Sequence, residues 1–242
     1  MGEINILESF PKTKRIIEKG WRTEENKQLA KLYEKEFFDG ERVNGYGGYY
    51  YDGRWRAVVK KLQEIYNLNS QSSVLDIGCG KGFLLFDLQD MIPGIKIAGL
   101  DISKYALNKT MDGYANYLIK QGVGYLKALE LEEEARKKIL PFLIQGSAEN
   151  LPYPDNSFDA VISIDTIHNL PEDKCRKAIR EIIRVCRNKK NMFIKMDSYR
   201  NPEEKERMEN WILTAETFLS ENQWLELFKQ EKYNGDYFWT IV

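Results

Sequence analysis

The chain holds one histidine, His168, and three cysteines, Cys79, Cys175 and Cys186, in 242 residues. An odd number of cysteines without C-x-x-C spacing signals neither a disulfide framework nor a zinc site, and a lone histidine offers no imidazole cluster for a transition metal. Charge of one sign is lacking too: 36 Lys and Arg stand against 37 Asp and Glu, a formal net charge of −1. With no basic excess to neutralise a phosphate backbone, nucleic acid is not an expected partner. No apolar run approaches the roughly 18 residues of a membrane span. Residues 1–15 lack a signal-peptide apolar region, and Ile6 stands where a myristoylation signal beginning at Gly2 needs Ser or Thr. The expectation is a cytoplasmic protein without membrane attachment. What is present, 43% hydrophobic and 30% charged residues, describes an ordinary globular chain with an appended cap.

Between Val74 and Ser198 short apolar β-branched runs alternate with longer amphipathic ones, the pattern of a parallel sheet wrapped by helices. Strands are expected at 73–77, 96–101, 142–145, 160–164 and 192–196, and a last one at 236–242. Helices are expected at 54–66, 82–91 and 172–187, where Ile179, Ile182, Ile183 and Cys186 recur at helical spacing. The stretch 102–141 is too long for one crossover helix and is broken by Gly113, Gly122 and Gly124, so it reads as a two-helix insertion, about 103–140. Residues 1–70 form an N-terminal lid and helix packed on a core of 71–242, and 198–219 lies on the side that would meet a substrate. Ser220 caps a further helix.

The first strand runs into Val74-Leu-Asp-Ile-Gly-Cys-Gly-Lys-Gly-Phe83, with glycines at 78, 80 and 82. A dinucleotide fingerprint needs its third glycine at Phe83, and a P-loop needs Ser or Thr after Gly-Lys, so the spacing fits neither. Glycines here let the backbone turn sharply and approach a ligand, while the following helix offers free N–H groups. Asp101 ends the second strand, where a carboxylate accepts hydrogen bonds from a ribose diol. The expected ligand is adenosine-like without a pyrophosphate.

These residues resemble the class I S-adenosylmethionine-dependent methyltransferases, whose D-x-G-x-G-x-G turn and later acidic residue match Asp76, Gly78, Gly80, Gly82 and Asp101. The segment 146–159 and Ser163-Ile-Asp-Thr-Ile-His-Asn-Leu170 are similar to the ubiquinone and menaquinone type of small-molecule enzyme. The resemblance spans roughly 72–197. It implies an α/β fold with a doubly wound, mostly parallel Rossmann-like sheet, an N-terminal helical lid and a helical insertion. It also implies S-adenosylmethionine as methyl donor, with S-adenosylhomocysteine as product. By resemblance Gly78, Cys79 and Gly80 line the methionine moiety and Asp76 orients its ammonium. Asp101 holds the ribose, Ile102 lies against the adenine, and Ser147, Ala148 and Glu149 are at its edge, with Ser163 also on the cofactor side. The family often has Asp where Ser147 stands, and its sheet usually closes with two terminal strands where only one is visible here.

The glycine and tyrosine cluster of residues 45–53 reads either as a surface loop or as an aromatic flap closing on the cofactor through Tyr46, with Arg54 or Arg56 meeting its carboxylate. His168, just past the fourth strand, is the candidate base or else a helix-capping residue; Asp165 and Asp197 end the fourth and fifth strands and are the other candidate catalytic groups. Ser163-Ile-Asp-Thr166 stands where base-modifying N-methyltransferases carry Pro-Pro-aromatic, which disfavours nucleobase amines. The favoured reading is methylation of a small polar metabolite, with oxygen the preferred acceptor, by a monomer or homodimer. The alternatives are a protein or peptide methyltransferase and a catalytically silent cofactor-binding module. Asp165 and Asp197 resemble the magnesium placement of catechol-type enzymes, but Ser198 replaces that site's Asn, so no metal is expected.

Overall fold

The computed structural model describes residues 1–11 and 15–242; Lys12, Thr13 and Lys14, part of the polar N-terminal stretch, lie outside the described residues. One sheet contains β1 (Ser73–Ile77), β2 (Lys96–Asp101), β3 (Leu143–Gln145), β4 (Ala160–Ile164), β5 (Met192–Asp197) and β6 (Asp236–Thr240). Their order is β3-β2-β1-β4-β5-β6 and every neighbouring pair is parallel. The reversal of strand order between β1 and β4 opens a crevice at the carboxyl edge, where ligands of such sheets bind.

A parallel sheet has to be covered on both faces. The helices are α1 (Glu24–Ala30), α2 (Lys35–Phe38), α3 (Trp55–Tyr66), α4 (Phe83–Met91), α5 (Lys104–Asn108), α6 (Tyr114–Lys120), α7 (Tyr125–Ile139), α8 (Glu172–Val185), α9 (Pro202–Trp211) and α10 (Glu221–Gln230). Alternation along the strands divides the core. Val74, Ile162 and Phe193 pack with α3 and α4, whereas Leu75, Val161 and Ile194 pack with α8 and α10. Helix α8 buries Cys175, Ala178, Ile179, Ile182 and Val185 along one stripe, with Glu172 and Asp173 in its first turn and Arg184 in its last, matching the helix dipole. Among the described residues no helix is long and apolar enough to cross a membrane.

The insertion differs from expectation in holding three helices, not two. Met111, at φ +62°, ends the run after α5, and Gly113 and Gly124 stand at the N-caps of α6 and α7, so the glycines separate three segments. Helix α8 stops at Val185 because Cys186 turns extended and bridges Phe158. The N-terminal residues are woven into the core. Ile4 donates to the Tyr237 carbonyl at 2.9 Å, Glu3 forms a parallel bridge with Tyr237, and Ile6 and Tyr51 are buried.

Candidate active site

Chain reversal at the ends of β1, β2 and β4 leaves a cavity of about 360 Å³ at the carboxyl edge. Gly78 forms part of its floor at φ +81°, and a Cβ there would stand 1.9 Å from Thr166 Oγ1, so only glycine lets the β1 turn meet the segment after β4. Gly80 donates its amide to Asp101 Oδ2 at 2.7 Å, and Ser103 donates to Oδ1 at 2.8 Å. Asp101 therefore fixes both the glycine turn and the start of α5. Burial pushes its carboxyl up, against the pull of these two amides. A carboxylate has about four lone-pair sites, so acceptor capacity remains toward the cavity.

Ile102, Ser147, Ala148 and Glu149 line the far wall, with Lys174 Nζ 3.3 Å from Glu149 Oε1 on the rim. The roof is aromatic: Tyr46 and Tyr49 of the glycine and tyrosine cluster, and Tyr33, Phe37 and Phe38 from in and beside α2. Phe38 stacks on Tyr46 at 5.9 Å, and Tyr49 on Phe83 at 5.0 Å. The other two tyrosines of the cluster point elsewhere. Tyr50 is exposed, and Tyr51 is buried with its hydroxyl 2.5 Å from Asp87 Oδ1.

Several expected residues are not on the cavity wall. Gly82, at φ +77°, is the N-cap of α4, and a Cβ there would meet Ile139 and Leu143, so it serves the packing of the insertion against the turn. Cys79 is buried beneath the turn, and Ser163 is buried with its Oγ unpartnered. Asp76 is buried beside Asp101, and burial, then the neighbouring charge, raises its carboxyl to about 7. Arg56 corrects a further expectation: it points out from α3 to Asp90 at 2.6 Å and Asp87 at 3.7 Å, away from the cavity. Arg54 is likewise held by Asp52.

Asp165 does reach the wall, at φ +52°, a left-handed conformation that Asp tolerates better than most side chains. Lys195 Nζ lies 2.5 and 2.6 Å from its two oxygens and 2.5 Å from Thr240 Oγ1. Burial would raise Asp165, but the Lys195 charge and the hydrogen bonds from Lys195 and Thr240 outweigh it and hold the carboxyl below its ordinary range. His168 is only 3% exposed and stands off the wall, with Nε2 3.5 Å from Asp197 Oδ2 and Nδ1 buried without a partner. Asp197 is also off the wall, its carboxyl raised by burial against the pull of His168. Lys195 was not anticipated. Its signal is a charged residue within Met192-Phe-Ile-Lys-Met196, a strand otherwise apolar and buried on both faces.

A second unanticipated lysine is Lys81, inside the glycine turn. It is fully buried and reaches Asp39 at 2.8 Å and Asp112 at 3.0 Å, tying the N-terminal segment and the insertion to the turn.

Comparison with known proteins finds relatives for most of the chain. Residues 75–194 match the model of a methyltransferase domain family. Among curated proteins, the demethylmenaquinone methyltransferase of Listeria welshimeri is 27% identical over 67% of this chain and 59% of its own length. The norajmaline N-methyltransferase of Rauvolfia serpentina is 34% identical over 47% of this chain and 32% of its own. The chain thus spans 59% of the length of the Listeria relative. Among solved structures, the YcgJ protein of Bacillus subtilis aligns over 72% of this chain and 66% of its own at 20% identity, with a TM-score of 0.47. Residues 75–194 are a class I S-adenosylmethionine-dependent methyltransferase domain resembling that of the menaquinone-type enzymes.

Proposed function

We propose that this chain transfers a methyl group from S-adenosylmethionine to a small polar metabolite, with a hydroxyl oxygen as the favoured acceptor. The observation that carries the reading is the cavity at the strand-order reversal, with Gly78 in its floor and Asp101 at the end of β2. S-adenosylmethionine supplies a methyl already activated on a sulfonium centre. The chain's own work is then alignment and exclusion of water. Asp101 and the Gly78–Gly80 backbone hold the nucleoside end, Ile102 and Ala148 give it apolar walls, and the rings of Phe38, Tyr46 and Tyr49 cover it. Asp165, kept ionised by Lys195, accepts a hydrogen bond from the acceptor and orients it. Oxygen is favoured because a neutral amine attacks without prior proton removal, whereas a hydroxyl uses a base, and His168 and Asp197 stand 3.5 Å apart close to Asp165.

Calorimetric titration with S-adenosylmethionine and S-adenosylhomocysteine tests the reading. Hydrogen bonds to a charged group are worth about 1.5–3 kcal/mol, so Asp101→Ala is expected to weaken both ligands by roughly tenfold to a hundredfold or more. Equal affinities for wild type and variant refute the assignment.

A further inference from the structure

The roof of the cavity is built of aromatic rings set at angles to one another. Tyr33 meets Phe37 edge to face at 5.4 Å, Phe37 meets Tyr46 in the same way at 5.1 Å, and Tyr46 and Tyr49 are tilted by 34° with centroids 4.7 Å apart. Rings so inclined present their faces in several directions, as the sides of a box do. The box stands against the glycine turn: a Cβ on Gly80 would lie 3.3 Å from Tyr49 Cε1 and 3.9 Å from Phe38 Cε1. Tyr46 is 41% exposed although it lines the cavity, so part of its ring is free to meet a ligand.

Elsewhere the chain supplies its own cations to such rings: Lys81 lies over Tyr50 at 4.9 Å and Lys205 over Tyr199 at 5.6 Å. Among the described residues no cation lies over Tyr33, Phe37, Phe38, Tyr46 or Tyr49. Arg42 donates to the carbonyls of Gly45 at 2.9 Å and Tyr46 at 3.0 Å, and is not on the wall. The carboxylates of the wall point the same way. Glu149 is paired with Lys174 and Asp165 with Lys195, whereas Asp101 accepts from two amides and, among the described residues, has no cationic partner. The negative faces of the rings, together with a carboxylate that no cation neutralises, favour a bound cation, most of all a weakly hydrated one.

We propose that Phe38, Tyr46 and Tyr49 hold the sulfonium centre of the methyl donor through cation–π contacts, so that the site distinguishes the charged donor from its neutral product; this rests on the methyl-transfer reading above. The rings that cover the nucleoside end then also read charge. A sulfonium carries no N–H or O–H, so ring faces recognise it where hydrogen-bond acceptors find no donor. Transfer breaks the bond between the methyl carbon and sulfur, the electron pair of that bond stays on sulfur, and the new bond forms to a lone pair of the acceptor oxygen, whose proton passes to the base. The sulfur is then neutral, and the product keeps its other contacts but not this one.

The test is calorimetric titration of the full chain with three ligands: S-adenosylmethionine, the neutral S-adenosylhomocysteine, and sinefungin, which carries an ammonium in place of the sulfonium. Tyr46→Leu, which keeps an apolar surface but removes the ring face, should weaken the two charged ligands by about tenfold and S-adenosylhomocysteine by less than about twofold. Tyr46→Phe, which keeps the face, should leave all three within about twofold of wild type. Tyr49→Leu should repeat the Tyr46→Leu pattern; if it loses its circular dichroism spectrum because that ring also stacks on Phe83, Tyr46→Leu decides alone. An equal loss for all three ligands makes the roof a plain apolar cover and overturns the proposal, as does unchanged affinity for the charged pair. A loss confined to S-adenosylmethionine, with sinefungin following S-adenosylhomocysteine, overturns it too, since the rings then read the bulk of the methyl group. A loss in Tyr46→Phe as large as in Tyr46→Leu gives the effect to the hydroxyl and has the same consequence. If the wild type binds none of the three, the methyl-transfer reading itself has failed, and the sulfonium assignment falls with it.

Discussion

Replacing Lys81 with Met should loosen the joint between the glycine turn, the N-terminal segment and the insertion. The lysine is fully buried, and its Nζ sits 2.8 Å from both oxygens of Asp39 and 3.0 Å from Asp112 Oδ2. Removing one partner of a buried pair typically costs about 3–5 kcal/mol, because the partner is left charged and desolvated. Two details place this case near the lower end. Asp39 keeps the Tyr105 hydroxyl at 2.8 Å and the Tyr49 amide at 3.1 Å, and the Asp112 side chain is 30% exposed and can be rehydrated. The expected loss is about 3 kcal/mol at pH 7, read by urea unfolding followed by circular dichroism. Acid should narrow the gap. Burial pushes the Asp39 carboxyl up, but the bonds from Lys81, Tyr105 and the Tyr49 amide outweigh it and hold it below the ordinary value. Its contribution is therefore present above the unfolded pKa of about 3.9 and is lost as pH falls through the folded value, so wild type and variant should converge below about pH 4. Asp39→Asn in the Lys81→Met background should cost much less than in the wild type. A loss under about 1 kcal/mol, or strict additivity of the two substitutions, refutes the reasoning.

Asp87 gives the opposite pH dependence. Burial raises its carboxyl to about 7, so its contribution is complete below the unfolded pKa of about 3.9 and is lost as pH rises through 7. Asp87→Asn, which keeps an acceptor for the Tyr51 hydroxyl, should gain about 2–3 kcal/mol on the wild type between pH 5 and pH 8 in thermal unfolding, and a pH-independent difference contradicts this. With a hydroxyl acceptor, His168→Ala should lower turnover by roughly 10² to 10⁴ while leaving S-adenosylhomocysteine affinity unchanged, as loss of a proton acceptor requires; surviving turnover makes His168 a packing residue. Turnover should persist after exhaustive chelation, because the Lys195 ammonium already neutralises Asp165, and loss restored by magnesium would make Asp165 and Asp197 its ligands.

Sequence legibility followed the locality of the signal. The β1, β2 and β4 runs are apolar and β-branched and lie next to turn residues, and their bounds are evident from composition alone. The glycine turn and Asp101 carry their geometry in a short spacing. What was not legible depends on residues distant in the chain. Phe37 and Phe38 read as ordinary apolar residues until the fold brings α2 over the end of β1. Arg56 was proposed for the cofactor from its closeness to the tyrosine cluster, but one turn of α3 carries it outward to Asp90. His168 follows β4 directly, yet the short helical turn Ile167–Asn169 draws its ring inward against Asp197. In Lys81 and Lys195 a charged residue within a tight turn or an apolar strand was the only hint that partners would arrive from elsewhere.

The pairing of residues 2–4 with β6 also orders events in time. Gly2 donates its amide to Asp236 Oδ1 at 3.0 Å across a separation of 234 residues, and Tyr237 donates back to the Gly2 carbonyl at 3.0 Å. During synthesis the first of these partners leaves the ribosome long before the last. The outer rim of the sheet therefore stays unzipped until the final strand emerges, and Ile6 has no finished bed to settle into before then. A nascent chain halted before residue 236 should lose residues 2–6 to a protease faster than the finished molecule does, because their pairing with residues 236 and 237 has not formed.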